Sequence, residues 1–219
     1  TSIDVEKTIY ELPVLFHEQG LDAKIMEKLG LSDHKTDISS WTNFLKRLNN
    51  PKASITVGML GQTNYLDDCY KSVRESLFHA AVTGCNAELI IKKIDAETIE
   101  SSNNPSSFFK DVDAIMIPGN YGQRGFLGLL ASVKYARENN IPYLGIDLGM
   151  QIMAIETART LLKWQDADST EFIQNTSYPL ISLPEEQAGF AAAGVIRLGV
   201  CRLQLKRVQS SKLYIRLRA

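Results

Sequence analysis

The segment Gly145, Ile146, Asp147, Leu148, Gly149 places a carboxylate between two glycines at a junction of apolar strand and helix. Glycines at that spacing clear room for a sharp turn whose central side chain projects above a sheet at a helix amino terminus. Many hydrolases display a Ser or Cys nucleophile in this way. Here the centre is an aspartate. A carboxylate is a poor nucleophile toward an unactivated amide, and the N–H groups of a helix start would hold it ionised and hydrogen-bonded. Two readings of Asp147 stand side by side: a structural helix cap, and a former catalytic position.

A second loop, Pro118 to Gly125, carries glycines at 119, 122 and 125. Backbone N–H groups in such a turn can stabilise a developing oxyanion, and a tight loop without chemistry has the same composition. Asp147, Asp166 and Glu171 are too few and too far from any His or Cys to predict a metal site. The glycine loop lacks a following Lys and Ser or Thr, and no Gly-x-Gly-x-x-Gly follows the first strand, so neither phosphate nor dinucleotide cradle is expected. His17, His34 and His79 are expected to be ordinary surface or packing residues, and the basic run Arg202 to Arg207 a solvated strand face.

The elements that must position these residues follow from periodicity. From Ala53 onward, short β-branched runs alternate with amphipathic helices, which predicts an α/β fold with a doubly wound, mostly parallel sheet. Expected strands are 55–60, 87–94, 114–118 and 141–146, and expected helices are 67–81, 129–139 and 148–162. Such a sheet gathers its working site beyond the carboxyl ends of the strands. Residues 1–31 predict a helical tail or connector and 32–52 a linker helix stopped by Pro51, while 195–207 supply one or two edge strands.

At 219 residues with 44% hydrophobic positions, one main domain is expected. Lys and Arg total 24 against 25 Asp and Glu, which offers no field for nucleic acid or an anionic membrane. The three cysteines are widely spaced, with no CxxC pair, and fit a reducing cytosol. No run of about 18 apolar residues occurs.

Several blocks, in order, carry a family resemblance. Leu144 to Gln151 (LGIDLGMQ) is similar to the Leu-Gly-Ile/Val-Cys-Leu-Gly-Met-Gln block of cytidine-triphosphate (CTP) synthases. Pro118 to Gly125 (PGNYGQRG) resembles their Pro-Gly-Gly-Phe-Gly-x-Arg-Gly loop, and 164–172, 65–73 and 196–199 resemble further blocks. Residues 9–20 (IYELPVLFHEQG) resemble the end of that family's synthetase domain.

The resemblance implies a class I glutamine amidotransferase domain of flavodoxin-like type at 53–219, C-terminally truncated, preceded at 1–52 by the end of a synthetase domain and a linker. It implies a family reaction, the ATP-dependent amination of UTP to CTP, in which a cysteinyl thioester releases ammonia from glutamine. ATP and magnesium belong to the synthetase domain, so no cofactor is expected in this one. By position, Asp147 stands where the nucleophile belongs. Gly119, Asn120, Tyr121 and Leu148 fall in the oxyanion and substrate loops, Gln151 and Glu171 at glutamine-holding positions, and Arg197 near the pocket.

Three departures from the family pattern predict that glutamine is not hydrolysed. They are the acid at 147, Asn120 in place of a glycine, and a family His-x-Glu pair expected beyond Tyr214 and not present before Ala219. Glutamine bound without turnover, a synthetase domain, and homo-oligomerisation of the full-length protein are the implied partners, with no nucleic acid and no membrane. Three functions stay open: a non-catalytic interaction or regulatory module, part of a functioning CTP synthase in cytoplasmic pyrimidine biosynthesis that accepts free ammonia, and a flavodoxin-like binder of another small ligand.

Overall fold

A computed structural model describes residues 5, 7–31, 36–61, 67–119 and 123–182. A 3-10 turn at Ile9–Glu11 leads into α1 (Leu12–Glu18) and α2 (Leu21–Lys28), and α3 (Ser39–Asn49) precedes the first strand. Pro13 sits in the first turn of α1, where its missing N–H costs nothing. These helices bring Tyr10, Trp41 and Phe44 into one aromatic cluster with Phe78 and His79. The connector helices thus pack on the sheet-forming region and do not trail from it.

Then follow β1 (Ala53–Gly61), α4 (Lys71–Ala80), β2 (Ala87–Asp95), α5 (Ala96–Glu100), β3 (Ala114–Ile117), α6 (Phe126–Glu138), β4 (Tyr143–Gly145) and α7 (Leu148–Leu161). The sheet order is β2-β1-β3-β4 and every pairing is parallel. After β2 the chain crosses to the other side of β1, so the sheet is wound in both directions, as the alternating pattern predicts. A second, two-stranded parallel sheet joins β5 (Ala167–Ser169) to β6 (Tyr178–Ile181).

Alternation along the strands divides the core in two. Leu60, Ile115 and Ile117 face one way, with Ile99, Phe109, Leu129, Val133, Leu148 and Ile152 from α5, the loop after it, α6 and α7. Val57, Met59 and Met116 face the other way, against Val73 and Leu77 of α4. Among the described residues, no helix is long and apolar enough to cross a membrane.

Several boundaries differ from expectation for local reasons. The helix expected over 67–81 is three pieces, a 3-10 turn at Asp67–Tyr70, α4, and a π turn at Ala81–Cys85. Asn86, at φ 50°, ends the π turn. The helix expected from 129 begins three residues earlier, because Gly125 at φ 71° starts it and Gly128 packs on α5. A Cβ at Gly128 would lie 2.0 Å from the Ala96 carbonyl oxygen, so only glycine permits that approach. The strand expected over 141–146 shortens to 143–145, and 114–118 to 114–117. The short α5 was not expected. Asp95 ends β2 and caps this helix at once, its carboxylate accepting from the Thr98 N–H at 3.0 Å. The edge strands expected at 195–207 and the basic run within them lie outside the described residues.

Candidate functional site

The carboxyl ends of β3 and β4 are adjacent in register, Ile117 opposite Gly145, so the loops after them open at one place on the sheet edge. The Ile146 N–H extends the pairing by donating to the Ile117 carbonyl at 2.9 Å, and the chain turns sharply into α7. Asp147 is the apex, with φ 52° and ψ −110°. That region is costly for a residue with a side chain and is held only where surroundings over-determine it.

Those surroundings are the two glycines. A Cβ on Gly145 would lie 2.4 Å from the Gly149 carbonyl carbon, and one on Gly149 would lie 2.3 Å from the Ile117 oxygen. Helix α7 therefore rides directly on the strand ends, and the turn between has no freedom to relax. Tyr143 adds a tie, its hydroxyl donating to the Gly149 oxygen at 2.7 Å, with burial pushing the phenol pKa well above its usual value.

Asp147 is exposed, and its side chain makes no capping hydrogen bond. The cap reading is corrected here: residue 147 occupies the N-cap place, but its backbone torsions aim the carboxylate outward and not onto the first-turn N–H groups. The outward carboxylate meets the loop after β3, since a Cβ on Gly119 would sit 3.3 Å from both Asp147 Cβ and Oδ2. One turn later, the Gln151 N–H donates to the Asp147 oxygen at 3.1 Å, and Gln151 Oε1 is buried without a hydrogen-bond partner among the described residues. A buried acceptor without a donor is uncommon.

The remaining expected site residues fall differently. Leu148 is 3% exposed and its side chain belongs to the core, so only its backbone remains for substrate. Glu171 is exposed on the turn after β5, its N–H donating to Ser169 Oγ at 3.2 Å. The structure thus brings Gly119 against Asp147, carries Gln151 one turn further along α7, and sets Glu171 on a separate turn. Asn120, Tyr121 and Arg197 lie outside the described residues.

Asp166, His17 and His79 each have a local partner. The Asp166 carboxylate accepts from Ser177 N–H at 2.9 Å, and hydrogen bonding from the Ser177 side chain first and its N–H second holds the carboxyl pKa below the usual range. No group of three or more His, Cys, Asp or Glu among the described residues could hold a metal ion. His17 Nδ1 bonds Asp22 at 2.6 Å, and His79 Nε2 bonds the Tyr10 hydroxyl at 2.7 Å, both in the N-terminal helical part and its contact with α4. His34 lies outside the described residues.

Sequence reading misses one group altogether. Arg159, near the end of α7, donates to Asp168 Oδ2 at 2.6 Å and to the Ala167 oxygen at 2.8 Å, and its guanidinium lies 5.7 Å from the Phe126 ring centroid. Its partners come after the helix has ended, so no helical spacing announces the pair.

Comparisons with known proteins show the family to which the chain belongs. Residues 65–189, over half of the chain, match the family described as glutamine amidotransferase class-I. A CTP synthase of Protochlamydia amoebophila is 42% identical over 92% of this chain and 38% of its own length. One of Fibrobacter succinogenes is 42% identical over 96% of this chain and 37% of its own length. The chain thus spans less than two fifths of these relatives. A solved structure described as the Trypanosoma brucei CTPS glutaminase domain with bound acivicin aligns with TM-score 0.55 and 30% identity, covering 61% of this chain and 52% of that one.

Proposed function

Because the chain belongs to the class-I glutamine amidotransferase family, we propose that it is the glutaminase-like portion of a CTP synthase that holds glutamine without hydrolysing it. The observation that carries this reading is the side chain at the apex of the elbow. Asp147 is displayed beside Gly119 as a nucleophile would be, on a turn fixed by Gly145 and Gly149, yet it offers oxygen and not sulfur.

The chemistry of that oxygen argues for inertness. Attack by a carboxylate on the amide carbon of glutamine would build a tetrahedral intermediate whose leaving groups are a carboxylate and an amide nitrogen. The carboxylate leaves far more readily, so the intermediate collapses backward. A thiolate paired with an imidazole avoids this, because the imidazole delivers a proton to the departing nitrogen. Among the described residues, the two histidines, His17 and His79, are committed elsewhere, to Asp22 and Tyr10.

Binding can outlast chemistry. Gly119 stands against the apex, where any side chain would press on Asp147, and Gln151 Oε1 keeps an acceptor without a hydrogen-bond partner among the described residues. No cofactor is assigned to this part of the protein. ATP, magnesium and the amination of UTP belong to a synthetase domain, which residues 1–52 would join, with free ammonia as the nitrogen source; the complete protein would self-associate. In that arrangement the present chain is a pseudoenzyme module in pyrimidine biosynthesis.

The test is calorimetric titration with glutamine, run beside an ammonia assay. A saturable heat with ammonia no higher than a no-enzyme blank is expected, for the natural sequence and for Asp147→Cys alike, because Asn120 still stands in place of the oxyanion-loop glycine. Ammonia clearly above the blank from either protein, or a glutamyl adduct on residue 147, would sink the inertness; absence of any binding heat would sink the pocket.

A further inference from the structure

Arg159 reaches two parts of the molecule that must be in register if one small ligand is to touch both. On one side its Nη2 donates to Asp168 Oδ2, and the other oxygen of that carboxylate accepts from the Ser169 N–H at 2.7 Å. Ser169 in turn accepts at Oγ from Glu171 N–H, and its carbonyl accepts from the N–H groups of Phe172, at 3.0 Å, and Ile173, at 2.9 Å. Asp168 and Ser169 are 2% and 1% exposed, so this relay runs through a dry interior and ends on the Glu171 turn.

On the other side the guanidinium faces Phe126, the first residue of α6, whose ring packs edge-on against Phe172 with centroids 5.4 Å apart. Gln123 Nε2 donates to the Phe172 carbonyl at 2.9 Å, which closes the circuit between the far end of the glycine loop and the same turn. Arg159 is carried by α7, whose first residue follows Asp147. One side chain thus relates the helix bearing the elbow to the Glu171 turn and to residues 123–126.

From this circuit we propose that Arg159 is a positioning residue for the glutamine pocket, holding Glu171 at a set place relative to Gly119 and Gln151 without touching the ligand. The inference rests on the functional reading above. Arg137 supplies the contrast: it bonds Glu156 of α7, at 2.8 and 3.0 Å, and so joins α6 to α7, with no link to the Glu171 turn among the described residues.

The experiment measures glutamine affinity by calorimetry, denaturation midpoint, and amide exchange at residues 171–173 in the whole chain. Arg159→Gln is expected to weaken glutamine about tenfold and to speed exchange at those three amides. Arg137→Gln is expected to lower the midpoint while leaving affinity and those amides unchanged. Because Gln123 is exposed, Gln123→Ala should fold normally and still weaken glutamine about threefold, which decides the matter if Arg159→Gln does not fold.

An unchanged affinity in Arg159→Gln or Gln123→Ala, or an equal loss in Arg137→Gln, would overturn the proposal. If the natural sequence gives no heat with glutamine but Arg159→Gln still frees the three amides, the functional reading falls and the positioning of the turn stands.

Discussion

The apex residue shows the tension between local cost and global packing. Asp147 is held at φ 52° by glycines on either side, a conformation costing about 1–3 kcal/mol for a residue with a side chain. Asp147→Gly removes that cost and adds about 0.4–1 kcal/mol of unfolded-state entropy, so a net gain near 1 kcal/mol is expected. Urea denaturation would read it as a higher midpoint at unchanged slope; a lower midpoint would mean that the turn is not strained. The pattern Gly145, Asp147, Gly149 is enough to locate this turn from sequence. It cannot say that the carboxylate would point outward, since capping depends on torsions that glycine packing imposes. Arg159 and Asp168 escape sequence reading for a related reason, because their pairing needs the chain to leave α7 and return.

At the scale of elements, strand and helix order is legible because β-branched runs and helical spacing alternate cleanly from β1 to α7. The pair β5 and β6 is not. Ala167, Asp168 and Ser169 show no alternation, and their burial comes from contact with α7 and not from hydrophobicity. The junction of β3 with α7 gives a sharp expectation: Gly149→Ala gains about 1 kcal/mol of helix propensity but drives a methyl group to 2.3 Å from the Ile117 oxygen, an overpacking that costs about 3 kcal/mol. Net destabilisation of about 2 kcal/mol should appear on chemical denaturation, and a neutral result would refute the close approach.

The connector helices carry a second expectation at this scale. The Tyr10 hydroxyl donates to Glu75 at 2.6 Å, and this bond, with some burial, pushes the phenol pKa up to about 12. The folded protein therefore holds the proton more tightly than the unfolded chain. This contribution is complete below about pH 10 and disappears as pH rises toward 12. Tyr10→Phe should cost about 1 kcal/mol at neutral pH, and its midpoint should approach that of the natural sequence across that alkaline window. A gap that persists at pH 12 would assign the loss to packing.

For the molecule as a whole, one doubly wound sheet with a core on each face follows from length, composition and alternation. What ties the layers laterally does not. Glu156 has a side chain only 4% exposed, and Arg137 from α6 neutralises it. Arg137→Gln leaves that carboxylate buried with Thr160 as its remaining hydrogen-bond partner among the described residues, so a loss of about 3 kcal/mol in unfolding free energy is expected. A change below 1 kcal/mol would show that water reaches Glu156 and that the pair is a surface contact.

The interlocked glycines at 145 and 149 also separate mounting from cargo. The contour of the elbow is dictated by backbone pressed on backbone, and nothing in it consults the group carried at the summit. A selenol, an alcohol or a synthetic reactive handle installed at position 147 would inherit the same aim toward Gly119. The socket is therefore generic while its plug is interchangeable, and a lineage could lose or exchange its reactive atom here without redesigning the machine that points it.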